Sequence, residues 1–282
     1  MKNKIPFALP IIALAALLAG CSASAPLRNS LVVGMECEYA PFDWQTMTAN
    51  DHTVKLDNSS LYADGYDVDI SKAIASYLGA TLVIKQIAWD SLIPALETND
   101  IDCIITDMSY TAERAKSVDF SDAYYQSAIV GVVKTNSRYA SATSVADLAG
   151  CKAISQLGTV EDGVISQISN VTHVTAADTF GDAVLSLQAG DADVLLAEDP
   201  VAKCIVDVNS GLSVIQFTNG GFSGVDSSDL SGNIPVRKGD SVLLGQVNGA
   251  LATIPETKRE LWMQEASERC SVTSDGSSSS AA

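Results

Sequence analysis

From Leu31 onward, short apolar runs alternate with stretches whose apolar residues recur at helical spacing. This is the pattern of βαβ units on a mostly parallel sheet. LVVGM at 31–35 predicts a strand. In DVDISKAIASYLG at 67–79, Val68, Ile70, Ile74 and Leu78 fall near one helical face and Gly79 supplies the stop. TLVIKQI at 81–87 predicts a second strand, WDSLIPALETND at 89–100 a short helix, and IDCIIT at 101–106 a buried, β-branched third strand. A second set follows YYQSAIVGVVK at 124–134: the helix end VADLAG (145–150), the strand CKAISQL (151–157) and the Thr159-capped helix TVEDGVISQI (159–168). HVTAA (173–177), a helix through DAVLSLQAG (182–190) and the strand ADVLLA (192–197) complete it. Helix, polar turn, Asp and strand occur in both sets, because ALETNDIDCIIT at 95–106 parallels SLQAGDADVLLA at 186–197. The echo fits two lobes of similar design, with one large doubly wound sheet as the alternative. After Asn219, NGGFSGVDSSDLSGN reads as a crossing between lobes or as a surface loop. The strand IPVRK (234–238) and the helical stretches DSVLLGQVNGALATI and ETKRELWMQEASE follow.

The first twenty residues differ from this body. MKNKIPFALPIIALAALLAG carries Lys2 and Lys4 before an apolar run ending in small residues, the form of an export signal. The run Ile5–Ala19 falls short of the roughly 20 residues that cross a bilayer. At its end, Leu18-Ala19-Gly20-Cys21 resembles the bacterial lipoprotein signal, whose cysteine is diacylated and becomes the mature N-terminus. Several acyl chains on one cysteine anchor stably where a single chain does not. The expectation is a signal peptide over 1–20, a lipidated tether over 21–30, and a body held at the extracytoplasmic face of the cell membrane. The low-complexity end, DGSSSSAA, predicts a disordered tail over 271–282.

Composition narrows the partners. The chain has 282 residues, 47% of them hydrophobic, enough for about two domains with real cores. Its 34 acidic residues outnumber its 17 Lys and Arg, and loss of Lys2 and Lys4 with the signal takes the formal charge from −17 to −19. Nucleic acid is thereby excluded as a partner, since phosphate binding needs clustered cations. His52 and His173 are isolated and no Cys-x-x-Cys or His-Glu-x-x-His is present, so neither a metal nor another cofactor is expected. Besides Cys21 there are Cys37, Cys103, Cys151, Cys204 and Cys270, an odd set whose pairing the sequence leaves open.

Ligands of open α/β sheets bind beyond the carboxyl ends of the strands. At those ends stand Glu36-Cys37-Glu38-Tyr39-Ala40-Pro41-Phe42-Asp43-Trp44, then Trp89, then Thr106-Asp107-Met108-Ser109-Tyr110-Thr111-Ala112-Glu113-Arg114. The second set contributes Gln156-Leu157-Gly158-Thr159 and Ala197-Glu198-Asp199-Pro200. One arginine, hydroxyls, carboxylates and aromatic faces suit a zwitterion: an Arg fork grips an α-carboxylate, a carboxylate accepts an α-ammonium, and rings cover the remainder. The plainer readings are that Arg114 is a solvated helix-start residue and that Asp107 and Glu198 are strand-end caps.

GMECEYAPFDW, YADGYDVDISKAIASYLGA, WDSLIPALETNDIDCIITDMSYTAERAKSVDFSDAYY, ISQLGT and GDADVLLAEDPVA resemble the bacterial family 3 solute-binding proteins, the amino-acid receptors of ABC importers. The similarity runs in order from about Leu31 to Glu268. It implies an α/β, two-lobed periplasmic-binding-protein-like fold of type II, with lobe 1 formed by 31–127 and 228–270, lobe 2 by 128–227, and the ligand in the interlobe cleft. By the same resemblance Tyr39 and Trp89 sandwich the ligand side chain, and Arg114 binds the α-carboxylate with Ser109 and Thr159. Glu198 receives the α-ammonium, with Asp199 the fallback for a one-residue slip. Asp107 stands where relatives have Gly or Ser, and Glu36 where the ligand side chain is reached. Three carboxylates against one Arg imply a basic amino acid, with an amide or other polar amino acid as runner-up, because an unpaired buried charge is costly. The implied partners are an amino acid, ABC permease subunits and a separate ATPase, since the chain lacks G-x-x-x-x-G-K-[ST]. A monomer without enzymatic activity is expected. The competing classes are a solute-binding-fold enzyme such as cyclohexadienyl dehydratase, and a signalling receptor.

Overall fold

The computed structural model describes residues 29–225 and 230–273. The export signal, Cys21 and most of the tether lie outside the described residues. Two five-stranded sheets form the framework. Across the first, the order is Thr81–Gln86, Ser30–Met35, Cys103–Ile104, Pro235–Arg237, Val118–Phe120. Across the second it is Thr172–His173, Lys152–Ile154, Val194–Glu198, Ile129–Lys134, Leu212–Ile215. Buried aliphatic residues such as Leu31, Val33 and Ile84 in one, and Val132, Val194 and Leu196 in the other, form the cores.

The sheets are mixed where the spacing predicts mostly parallel ones. Ser30–Met35 pairs in parallel with both of its neighbours, whereas Pro235–Arg237 runs antiparallel to its own. In the second sheet Ile129–Lys134 is likewise antiparallel on both sides. Each antiparallel strand follows a passage of the chain from one sheet to the other. A chain arriving at the carboxyl edge of the parallel strands can only run back against them. The two passages pair with each other, Tyr125 and Gln126 against Gly232 and Ser231.

The internal echo has a physical basis. Asp102 and Asp193 open the strand in each copy, and each carboxylate accepts from a backbone N–H of the neighbouring parallel strand, Val32 and Lys152 respectively, at 2.9 Å. Each aspartate's own N–H donates back to the carbonyl of that same residue, at 2.7 Å in one copy and 2.8 Å in the other. The preceding helices, Leu92–Glu97 and Phe180–Ala189, hand over through left-handed residues, Asn99 and Gly190.

Three stretches depart from the sequence pattern. A small four-stranded sheet spanning Glu38 to Asp64 follows the first strand. It leads into helix Tyr66–Leu78 through Gly65, where a Cβ would lie 2.1 Å from the Phe42 carbonyl. Asp199-Pro200, placed by its sequence beyond a strand end, begins the helix Asp199–Val208, because proline is accommodated in a first turn. The final helix, Glu256–Thr273, extends three residues into the stretch expected to be a disordered tail.

Cys204 of helix Asp199–Val208 and Cys270 of the final helix form a disulfide across a sequence separation of 66, while Cys37, Cys103 and Cys151 are buried. The preceding Arg269 bonds Asp64 at 3.0 Å and lies 5.9 Å from the Trp44 ring, both beside the first sheet. A cross-link closing a loop of that length lowers the entropy of the unfolded chain by about 4 kcal/mol of stability at 25 °C. The Cys204→Ser/Cys270→Ser protein is expected to lose about that much in urea unfolding; an unchanged midpoint would show the bond to be unimportant.

Candidate functional cleft

The carboxyl ends of the parallel strands in both sheets converge on one cleft. Glu36 directly follows Ser30–Met35, Asp107 and Ser109 follow Cys103–Ile104, and Glu198 ends Val194–Glu198. Trp89 opens a short turn after Thr81–Gln86, and Arg114 opens another before Val118–Phe120. Thr159 caps helix Val160–Val164 by accepting from the Asp162 N–H. All eight residues singled out from sequence line this one cleft. Asp199 does not: its carboxylate accepts from Lys203 and Gln216 at the protein surface.

The cleft wall also contains Thr106, Gln156, Val160, Glu161 and Phe180, which the sequence reading left unassigned. Thr106 and Gln156 sit at strand ends, the signal that located the others. Glu161 lies in the first turn after Thr159, and its acidic character alone does not separate it from a solvated helix start. Phe180 begins a helix two residues earlier than its spacing suggests.

Contacts across the cleft join the two sides. Gln156 Nε2 donates to Glu36 Oε1 at 2.5 Å, Arg114 Nη2 donates to the Gly158 carbonyl at 3.0 Å, and the Tyr39 and Phe180 rings lie 4.8 Å apart. The guanidinium of Arg114 is further fixed by the Ser109 carbonyl at 2.7 Å and by the Trp89 ring at 5.0 Å. The hydroxyl of Thr159 is used twice within its own turn, accepting from Asp162 and donating to the Gln156 carbonyl, so it shapes the loop that meets Arg114. The space enclosed is about 20 Å³, room for about one water molecule, so admission of an amino acid requires the two sides to separate.

Four carboxylates, Glu36, Asp107, Glu161 and Glu198, face the single cation Arg114 in this lining. Both Asp107 oxygens, Oε1 of Glu161 and Oε2 of Glu198 are buried without a hydrogen-bond partner. Burial pushes Glu36 up to about 8, helped by the charge of Asp43 and opposed by the Gln156 amide. Burial likewise carries Glu198 up to about 8, reinforced by Glu161. Asp107 is raised by burial and then by the charge of Glu198. Burial lowers Arg114 to about 10, which leaves it charged at neutral pH. Such a lining is preset for a cation, since each carboxylate regains solvation only when a positive group arrives.

Comparison with known proteins agrees with this geometry. The model for bacterial extracellular solute-binding proteins, family 3, matches residues 31–261. The chain is 28% identical over 245 residues to the ABC transporter arginine-binding protein 1 of Escherichia coli, covering 86% of this chain and 92% of that one. It is 28% identical over 226 residues to the arginine-binding extracellular protein ArtP of Bacillus subtilis, covering 79% and 80%. A Streptococcus pneumoniae amino acid ABC transporter substrate-binding protein bound to L-arginine superposes with a TM-score of 0.71 at 25% identity, covering 86% and 96%. An ancestral arginine-binding protein bound to glutamine gives 0.68 at 32% identity, covering 86% and 98%. These relatives are transport binding proteins of a two-lobed α/β fold. No helix among the described residues is long and apolar enough to cross a membrane. The cleft between two matched sheets and a family match across most of the chain lead to one conclusion: this chain belongs to the bacterial extracellular solute-binding proteins, family 3.

Proposed function

We propose that the cleft captures a basic amino acid by lobe closure and presents it to the permease of an amino-acid ABC importer. The observation that carries this reading is the buried excess of carboxylates, Glu36, Asp107, Glu161 and Glu198, around Arg114 alone. Arg114 and the Ser109 hydroxyl take the α-carboxylate, Glu198 with Asp107 takes the α-ammonium, Tyr39 and Trp89 flank the side chain, and Glu36 receives its cation. Lobe 1 comprises 31–127 and 228–270 and lobe 2 comprises 128–227, with the paired passages near Tyr125 and Gly232 as the hinge. Because ligand bonds to both lobes only when they are shut, it stabilises the closed form by its differential affinity. A separate ATPase supplies the energy. Cys21, lipidated, becomes the mature N-terminus and holds the monomeric receptor at the extracytoplasmic face of the membrane.

The names of the arginine-binding relatives and the L-arginine held by the pneumococcal neighbour support the ligand class. A thermal-shift and calorimetric screen of residues 22–282 against the amino acids tests it. At about 100 times its dissociation constant, arginine or lysine is expected to add about 2.7 kcal/mol of stability. Tighter binding of glutamate than of arginine overturns the proposal.

A further inference from the structure

Gly232 lies in the second passage between the sheets, where it pairs with Tyr125 of the first. Its backbone conformation is not what requires a glycine there, because it falls outside the left-handed region that Gly190 and Gly211 occupy. Space requires it instead. A Cβ at this position would lie 1.9 Å from Asp107 Oδ1, 3.1 Å from Asp107 Cγ and 3.3 Å from Tyr124 Cζ. The Asp107 carboxyl group therefore rests directly on the backbone of the passage.

Both partners are held in place by other bonds. The Gly232 carbonyl accepts from the Tyr124 N–H at 2.9 Å, the N–H of Asn233 donates to the Met108 carbonyl at 3.1 Å, and Gly232 bridges to Ser109. Asp107 stands in the left-handed region at φ 47°, and its N–H donates to the Tyr124 hydroxyl at 2.8 Å. The residue is 4% exposed and lines the cleft, and both of its carboxylate oxygens are buried without a hydrogen-bond partner. The charge that bears most strongly on it is that of Glu198, which ends a strand of the second sheet. An α-ammonium arriving between Asp107 and Glu198 supplies the partner that the buried oxygens lack.

We propose that Gly232 is a positioning residue for ammonium capture: its missing side chain is the socket from which the Asp107 carboxylate is aimed at the ligand's α-ammonium. The ammonium end of the site is thus built on the hinge passage itself. This rests on the amino-acid reading above and deepens it.

Calorimetry on Gly232→Ala, Asp107→Ala and the double variant tests the assignment, with L-arginine and with 5-guanidinopentanoate, which is arginine without its α-amino group. Gly232→Ala is expected to weaken L-arginine by about tenfold or more while the analogue stays within about threefold of its native affinity. In the double variant L-arginine is expected to bind within about twofold of Asp107→Ala alone, because a socket without its carboxylate has nothing left to position. Losses that multiply in the double variant overturn the assignment, as does an equal loss for both compounds in Gly232→Ala, which would mark Gly232 as part of the hinge only. If Gly232→Ala does not fold, the double variant, relieved of the clash, is expected to fold and to bind like Asp107→Ala. Its failure to fold overturns the assignment too. Native protein that binds neither compound overturns the amino-acid reading with it.

Discussion

Arg114→Ala is expected to weaken L-arginine binding at least a thousandfold, read by calorimetry, while the ligand-free melting temperature moves by only a few degrees. The guanidinium is held by two backbone carbonyls and the Trp89 ring, and no carboxylate lies within ion-pair distance of it among the described residues. Its fork is thus positioned for a ligand anion rather than spent on an internal one. Truncating one partner of a buried charge pair costs about 2–5 kcal/mol or more, because the other charge is left buried and alone. Here the excess acids of the lining raise that cost further for an α-carboxylate. Agmatine, which is arginine without its carboxylate, separates this role from simple neutralisation of the cleft. Arginine should bind the native protein far more tightly than agmatine, and the two should converge in the variant. Arginine binding within tenfold of native in Arg114→Ala would show that the α-carboxylate is held elsewhere. Arg114→Lys is expected to fall between, since an ammonium keeps the charge and loses the bidentate geometry.

Arginine binding is expected to strengthen by about three orders of magnitude between pH 6 and pH 8 and to release about two protons. Glu36 and Glu198, both carried up to about 8 by burial, are largely protonated at pH 6, and a cationic ligand requires them ionised. Each displaced proton adds about a factor of ten per pH unit below that value. Ligand-free stability runs the other way. With folded values of about 8 against ordinary values of 4.5, the folded state binds more protons than the unfolded chain across that window. Their contribution is full below pH 4.5 and is lost as pH rises through about 8. Calorimetry in buffers of different ionisation enthalpy reads the proton release directly. Affinity that is flat from pH 6 to 8, with heats independent of buffer, would mean that the carboxylates are already ionised in the empty cleft. Glu198→Gln should remove much of the pH slope.

The positions that line the cleft were legible because chain order and strand ends suffice to find them. Glu36, Asp107 and Glu198 each stand at or within three residues of the end of an apolar run, where a parallel strand must release its chain toward the ligand side. The echo around Asp102 and Asp193 was equally legible, since both do the same local work on the next strand. What stayed hidden depends on partners distant in sequence. Nothing near Gln156 reveals that its amide reaches Glu36, 120 residues away. Phe180 is one apolar residue among many until its ring is set against Tyr39. Strand direction is also nonlocal: Ile129–Lys134 has the same β-branched composition whichever way it runs. The pairing of Cys204 with Cys270 required two helices whose contact no spacing announces.

That disulfide has a mechanical consequence. Arg269 is fastened to Asp64 beside the first sheet, and the very next residue, Cys270, is covalently joined to the helix that leaves the second sheet. A single turn of the last helix therefore belongs to both halves of the molecule at once. The halves cannot swing apart like the covers of a book joined only at its spine, because a stay keeps two Cα atoms 6.4 Å apart. Any admissible parting is a rotation whose axis passes close to that turn. The turn around Cys270 thus sets the pivot on which the mouth of the cleft turns.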